Sequence, residues 1–463
     1  MSRSMPHCFR LTSIALAVLA SGCAVGPTYV RPSAPTSATY KEAAGWVVAA
    51  PADALDRGAW WALFDDPLLN ELEQQVEVSN QNVAAATAAY AQAQALVREQ
   101  RASLFPVVSL NGGASRSGGG ASRDATQLKI DIGGSWEPDV WGRLRRGVTS
   151  ASAAAQASAA DLASAKLSAQ GELAVDYIGL RQSDAQRALL ADTIAAYQRA
   201  LQITQNRYAA GVVAKTDVLQ AQTQLTNAQA DQVGLARQRA QLEHAIAVLI
   251  GKAPGDFTLP PAEWKYKVPD VPVAVPATLL QRRPDIASAE RRVAAANEQI
   301  GIAQSAYYPN LSLSASYGFG ASRLADLFSA SSSLWALGLQ AAQTLFNAGA
   351  TSARVAGARA AHEQTVARYR QTVLSAFQGV EDQLAASRVL AEQYELRRQA
   401  SVAADQVEQQ VLNRYRAGQV SYSEVVTAQA TALNTRRALV QLAADRQTTA
   451  VALIQALGGG WRE

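Results

Sequence analysis

Between residues 310 and 319 the chain reads NLSLSASYGF. Leu311, Leu313, Ala315, Tyr317 and Phe319 would share one face of a strand, with Ser312, Ser314, Ser316 and Gly318 on the other. TQLKIDIG (126 to 133) alternates in the same way, with Leu128, Ile130 and Ile132 opposed to Gln127, Lys129 and Asp131. VVSLNG (107 to 112) and LWALGLQA (334 to 341) are weaker versions. The pattern predicts four strands, each about the 9 to 11 residues that a membrane strand needs. A soluble four-stranded sheet with one wet face would alternate identically, so alternation alone leaves both open.

The remaining periodicity is helical. No proline occurs from Asp139 to Ala253, or from Asn310 to the C-terminus. Residues 142 to 206 and 348 to 413 read as unbroken Ala/Gln/Arg/Leu helix. At 1.5 Å per residue each would be roughly 100 Å long. A helix of roughly 35 to 40 residues then returns from each. The turn between them is written twice, as NRYAAGVV (206 to 213) and NRYRAGQV (413 to 420), 207 positions apart. Asn, Arg and Tyr are expected to close the outgoing helix, Gly211 or Gly418 to take the left-handed turn, and Thr216 or Ser421 to cap the return.

These turns belong to a larger duplication. SNQNVAAATAAYAQAQALVREQRASLFP (79 to 106) aligns without a gap on RRPDIASAERRVAAANEQIGIAQSAYYP (282 to 309), an offset of 203. A period near 205 residues far exceeds that of solenoid repeats, so each copy is half a molecule. The expected layout is a signal peptide (1–22), an acylated N-terminal leader (23–65) and a first structural repeat (66–257). A proline-rich connector (258–278), a second structural repeat (279–457) and a C-terminal tail (458–463) follow.

Composition narrows the class. Only 17% of the 463 residues are charged and 6% are aromatic, which suits long helices packed through small side chains. The formal charge is +4, and removal of Arg3 and Arg10 with a signal would leave +2, no footprint for nucleic acid. Residues 11 to 20, LTSIALAVLA, have signal-peptide length and are too short to span a bilayer as a helix. LASGC then places small residues before Cys23, as in a lipobox, so Cys23 is expected to carry N-acyl and S-diacylglycerol groups. A plain signal peptide with an idle cysteine is the competing reading. No other cofactor is expected. The histidines His7, His244 and His362 lack ligand-spaced partners, and no GxSxG, P-loop or HExxH motif occurs, so catalysis is not expected. Asp65-Asp66 and Glu381-Asp382 read as cap or helix-surface acids.

Four strands cannot close a membrane barrel, because about eight is the minimum and an open edge in lipid leaves backbone groups unpaired. If these strands span, the chain must oligomerise. WWALFDDPLLNELEQQ (60 to 75), WEPDVWGRLRRGV (136 to 148), LLQRRPDIASAERRVAAANEQIGIAQSAYYPNLSLSASYG (279 to 318) and the terminal ALGGGW resemble the TolC-like outer membrane factor family. CAVGPTYVRP, from Cys23, is similar to the acylated start of its lipoprotein (NodT/OprM-like) branch. The resemblance covers essentially the whole mature chain. It implies mixed α and β structure: an outer-membrane β-barrel completed by trimerisation, four strands per chain, continuous with a long α-helical periplasmic barrel.

On this resemblance the chain would be the passive exit duct of a tripartite efflux pump. It would act as a homotrimer in outer membrane lipid, with a periplasmic adaptor (membrane fusion protein) and an inner-membrane pump as partners. Residue by residue, Thr216 and Asp217 match the family's Thr-Asp pair at the first tip, and Tyr415 matches its partner at the second. The partner Arg falls on Val420. One acidic ring position matches Glu424 and the other falls on Thr427. A gate of Thr216, Asp217, Tyr415 and Glu424 is therefore expected, with Arg207, Gly211, Arg414 and Gly418 on the adaptor-docking tip. Asp217 and Glu424 read equally well as solvated helix-start acids. A poreless scaffolding lipoprotein and a self-sufficient diffusion porin are the competing functions.

Overall fold

The computed structural model describes residues 24–35, 40–42, 58–119, 122–269, 271 and 283–459. The expected signal peptide, Cys23, part of the leader, part of the connector and most of the C-terminal tail lie outside them.

The duplication is visible in element lengths. In the first half, α1 (Pro67–Ser79) precedes α2 (Gln81–Ala102), strands β1 (Val107–Gly119) and β2 (Ser122–Trp136), α3 (Arg143–Ala209) and α4 (Lys215–Leu249). In the second half α5 (Pro284–Ser305) leads to β3 (Asn310–Ala321), β4 (Ser333–Ala342), α6 (Ala350–Arg416) and α7 (Tyr422–Ala456). Helices α2 and α5 both have 22 residues, α3 and α6 both 67, α4 and α7 both 35. The offset is 203 for the first pair and 207 for the other two, so the extra residues of the second half sit in its β-hairpin. Only two residues separate β1 from β2, whereas residues 322 to 332 separate β3 from β4.

The described residues fall into two compact units that cut across the repeats. The first draws on the described residues within 24–34, 89–159 and 288–371 and contains the sheet. Its four strands form an antiparallel meander, β1-β2-β3-β4, leaving one edge each of β1 and β4 unpaired. Ile132 pairs with Leu110 and Tyr317, and Tyr317 in turn with Trp335, so these residues share one face. Asn111, Asp131, Gly318 and Leu334 line up across the other face. The sheet alternates as predicted, and its apolar face is bare. Leu110, Ile132, Tyr317, Trp335, Leu337 and Leu339 are each more than half exposed. On the polar face Asp131 is buried and ion-paired to Lys129 at 3.1 Å. A Cβ on Gly318 would lie 2.5 Å from the Asp131 Cα, so only glycine fits opposite it. Asp139 starts α3 by accepting from the amides of Leu144 and Arg145.

The second unit draws on the described residues within 35–88, 160–287 and 372–459. Trp60, Leu69, Val76, Leu173, Ile246 and Ile454 form its core. Asp66 caps α1, as expected of a helix-start acid, and also accepts from the Tyr177 hydroxyl at 2.6 Å. Asn80 caps α2 through the amides of Asn82 and Val83, while its side chain donates to the Leu249 carbonyl at the end of α4. The described part of the connector is pinned to helices rather than lying loosely over them. Arg239 bonds Asp184 at 2.7 Å and the Leu259 carbonyl, Arg181 bonds Asp184 and Pro260, and Trp264 donates to Gln447. Glu73 is fully buried in this core with neither carboxylate oxygen hydrogen-bonded, and burial pushes its carboxyl up to about 9, leaving it protonated.

Candidate functional site: the two hairpin tips

Both tips close on the same backbone. Gly211 has φ 72° and donates to the Tyr208 carbonyl, while the Val212 amide reaches the Arg207 carbonyl at 2.9 Å. Gly418 has φ 76° and donates to Tyr415, while the Gln419 amide reaches Arg414 at 2.9 Å. Each is a Schellman closure with glycine in the left-handed position. No atom lies within 4 Å of where either Cβ would be, so backbone angle rather than crowding requires glycine.

The side chains diverge. Tyr415 is 4% exposed, whereas Tyr208, its counterpart 207 residues earlier, is 46% exposed. The Tyr415 ring meets Tyr422 edge-on at 5.3 Å, and Ala221 and Val425 complete the cluster. Val420, which stands where the family pattern has Arg, packs at its margin. Arg207 crosses from the first tip. Its guanidinium lies 4.6 Å from the Tyr415 ring centre and donates to the Tyr415 carbonyl at 2.8 Å. Arg207 is thus committed to the second tip, while Gly211, Arg414 and Gly418 stay exposed.

Two expected contacts are not made. The Tyr415 hydroxyl lies 3.5 Å from Thr204 Oγ1, and no hydrogen bond to Asp217 occurs. The ring packs among Tyr422, Val425 and Ala221 of α4, and its hydroxyl approaches Thr204 on α3. Thr216 is not the cap of α4. That helix begins one residue earlier at Lys215, with Ala214 at the cap position and no side-chain bond, and Thr216 is exposed. Asp217 is half-buried in the first turn of α4. Burial first, then Tyr415, Tyr197 and the Asp217 charge, pushes the Tyr422 phenol up to about 12. Glu424 accepts from the Ser421 amide at 3.3 Å and from its hydroxyl at 3.4 Å, which makes it a cap-box acid on an exposed helix start. The residues expected at a gate therefore gather at the tips, but Tyr415 is joined there by Thr204, Arg207 and Tyr422 rather than by Asp217.

The second hairpin carries a brace that sequence reading missed. Arg436 on α7 bonds Asp405 and Glu408 on α6, each at 2.8 Å. The corresponding first-half positions are Gln229, Gln198 and Leu201, so no such brace is written there. Arg437 also ties α7 to Asp231 of α4 at 2.7 Å. Among the described residues, no group of three or more His, Cys, Asp or Glu could hold a metal, and no helix is long and apolar enough to cross a membrane.

Comparison with known proteins places this arrangement. The outer membrane efflux protein family matches residues 72–252 and 275–459, one stretch per repeat. The probable efflux pump outer membrane protein TtgC of Pseudomonas putida is 31% identical, over 98% of this chain and 96% of its own. Outer membrane protein OprJ of Pseudomonas aeruginosa is 27% identical over the same shares. Among solved structures, the outer-membrane channel OprN aligns over 95% of this chain and all of its own, with 29% identity and a TM-score of 0.87. The open state of the MtrE outer membrane channel of Neisseria gonorrhoeae aligns over 95% and 98%, with 25% identity and a TM-score of 0.84. With its duplicated halves, four-stranded sheet and paired long hairpins, the chain belongs to the outer membrane efflux protein family and is an outer-membrane efflux channel protein.

Proposed function

We propose that this chain is the passive, non-catalytic exit duct of a tripartite efflux pump, working as a homotrimer that opens at its hairpin tips. The observation that carries the reading is the sheet. It has an exposed apolar face and two unpaired edges, and three copies would supply twelve strands where four cannot close. A periplasmic adaptor and an inner-membrane pump are its partners, the adaptor meeting the exposed glycine turns at Gly211 and Gly418. Relatives equally identical to this chain are named for antibiotic and for toluene efflux, so cargo selection is assigned to the partner pump. A poreless scaffold would have no use for a sheet with one apolar and one polar face.

The test is planar-bilayer conductance of the purified protein together with its native mass. Trimers with a steady conductance are expected, and a non-conducting trimer would return the scaffold reading. Leu313→Lys should cost about 2 to 4 kcal/mol on the lipid face, whereas Ser314→Lys should mainly alter conductance. Equal tolerance at both would favour a soluble sheet.

At the gate, Asp217 and Glu424 supply carboxylates near the tips, with Thr216 beside them and Tyr415 holding the second tip shut against the first. Glu424→Gln keeps the cap-box bond and removes the charge, so it should weaken cation selectivity without loosening the helix. Unchanged selectivity would leave Glu424 a cap alone. Cys23 is the acylation site on this reading, joining the chain to the outer membrane by N-acyl and S-diacylglycerol groups. The intact mass should exceed that of the chain from Cys23 onward by three acyl chains and glycerol, and Cys23→Ser should remove them.

A further inference from the structure

The first unit holds a recess at the end of its sheet, where β2 passes into α3, α5 into β3 and β4 into α6. Its volume is about 490 Å³. Asn310 and Ala342 line it and pair with each other across β3 and β4. Two residues along, Ser312 pairs with Gln340, so the recess opens on the polar face of the sheet. On the duct reading above, that face is the lumen.

Its walls combine aromatic surface with one unspent charge. Trp141 stacks on Tyr308, with ring centres 4.8 Å apart, and its indole donates to the Pro309 carbonyl at 2.7 Å. The indole is thereby fixed, while Tyr308 keeps 40% of its surface exposed. Two acids also line the recess, and both are neutralised. Arg143 holds Glu137 through two nitrogens, at 3.1 and 2.7 Å, and Arg145 pairs with Asp139 at 3.1 Å. Arg354 is left over. It lines the same recess, is exposed, and makes no hydrogen bond or ion pair among the described residues.

The duplication shows that the junction does not need this chemistry. Under the 207-residue shift the counterparts of Trp141 and Arg354 are Ala348 and Gly147, and under the 203-residue shift that of Tyr308 is Phe105. The backbone turn is nonetheless alike, with Gly142 at φ 80° and Gly349 at φ 87°. An indole, a phenol and a free guanidinium have therefore gathered at one junction without being required to shape it.

We propose that this recess is a resting site in the duct wall for flat aromatic anions, of which aryl carboxylates are the simplest. The ring of the ligand lies against Tyr308 and Trp141, and the Arg354 guanidinium donates to the carboxylate. A cavity of this volume suits a drug-sized molecule. A neutral ring would lose the bonds to Arg354, a small anion would lose the stacking, and a cation would be repelled. The proposal rests on the duct reading and adds a preference of the wall itself to the pump's choice of cargo.

The experiment adds naphthoate to the full-length protein in planar bilayers and reads the dwell time of single current blocks. Arg354→Ala should shorten the dwell about tenfold, and Arg354→Lys should shorten it less. Tyr308→Leu should shorten naphthoate blocks but leave those of acetate as brief as before. Naphthylmethanol, the neutral analogue, should give equally brief blocks in all these proteins. Arg359→Ala, which removes an exposed arginine outside the recess, should leave the naphthoate dwell unchanged. Equilibrium dialysis of naphthoate against the same proteins in detergent measures occupancy without a pore, and should fall in the same order. Equal dwell and occupancy in Arg354→Ala and the unsubstituted protein, with conductance intact, overturns the recess and keeps the duct. Binding that depends on Arg354 in a protein that does not conduct keeps the site and overturns the duct, and with it any part in transport.

Discussion

The two hairpins have the same lengths and the same backbone closure, yet they hold themselves in different ways. The second carries its own brace, Arg436 to Asp405 and Glu408, its own cap box, and a buried tyrosine pair. The first has glutamines and a leucine at those positions, an uncapped return helix and an exposed Tyr208, and its own interhelix ion pair, Arg239 to Asp184, lies further along the helices from the tip. What steadies the first tip is Arg207, reaching across to the second. Duplication has thus copied the backbone while divergence has made one hairpin a support and the other a dependent.

The largest test of that contrast is Tyr415→Ala. It removes a buried ring that packs on Tyr422 and carries Arg207, and should cost about 3 kcal/mol of local stability at the second tip. Hydrogen exchange of the amides from 410 to 425 would read it, and Tyr415→Phe should lose little, since only the 3.5 Å approach to Thr204 goes. A small effect of Tyr415→Ala would mean that the second hairpin does not depend on its cluster. Arg436→Ala comes next. It breaks two charge-assisted bonds at a partly exposed site, so about 1 kcal/mol is expected, against nothing measurable for Gln229→Ala. Comparable losses at both positions would erase the distinction between support and dependent.

Where the hairpins are alike, responses should match. Gly211→Ala and Gly418→Ala each force a side chain into φ near 70° without any clash, costing about 1 kcal/mol at either tip. Unequal losses would show that the closures differ after all. The smallest effect is one of pH. Burial raises the Glu408 carboxyl above its usual range, outweighing the opposing pull of Arg436, with Asp405 raising it further. The folded hairpin therefore holds this proton more tightly than the unfolded chain does. Its contribution is undiminished below the ordinary carboxylate range and declines as pH rises through the raised value. Glu408→Gln should flatten that decline in the second hairpin, at a position where the first hairpin has Leu201. An identical slope in the glutamine variant would assign the pH dependence to another group.

Elements were legible in the sequence because they are set by local periodicity. Alternation around Ile130 and Leu313 located the strands, the proline-free runs located the long helices, and the glycine after each Asn-Arg-Tyr located the turns. Strands β1 and β2 run longer than their predicted cores, since glycine and serine near the hairpin turn carry little hydrophobic contrast. Side-chain partners were harder, because they depend on which helices the fold brings together. Tyr415 was expected on Asp217 and found against Thr204, Tyr422 and Arg207. The signal for the Arg207 contact was present in the repeated Arg-Tyr pair, but only the packed helices reveal that the arginine of one copy serves the tyrosine of the other. Thr216 failed as a cap because the helix starts at Lys215 and leaves the cap position to Ala214, which has no side-chain acceptor.

The free edges of β1 and β4 have a consequence for biogenesis. A lone chain entering the bilayer would carry two rows of unsatisfied amides and carbonyls into lipid, each group costing several kcal/mol. On the homotrimer proposed above, insertion and assembly would be a single event, dependent on the concentration of copies at the membrane surface. A mutant with one spoiled edge would be made, would join its siblings, and would withdraw them from use. Damage to either edge strand should therefore be dominant over a coexpressed wild-type copy, whereas damage that stops the chain from being made should be recessive.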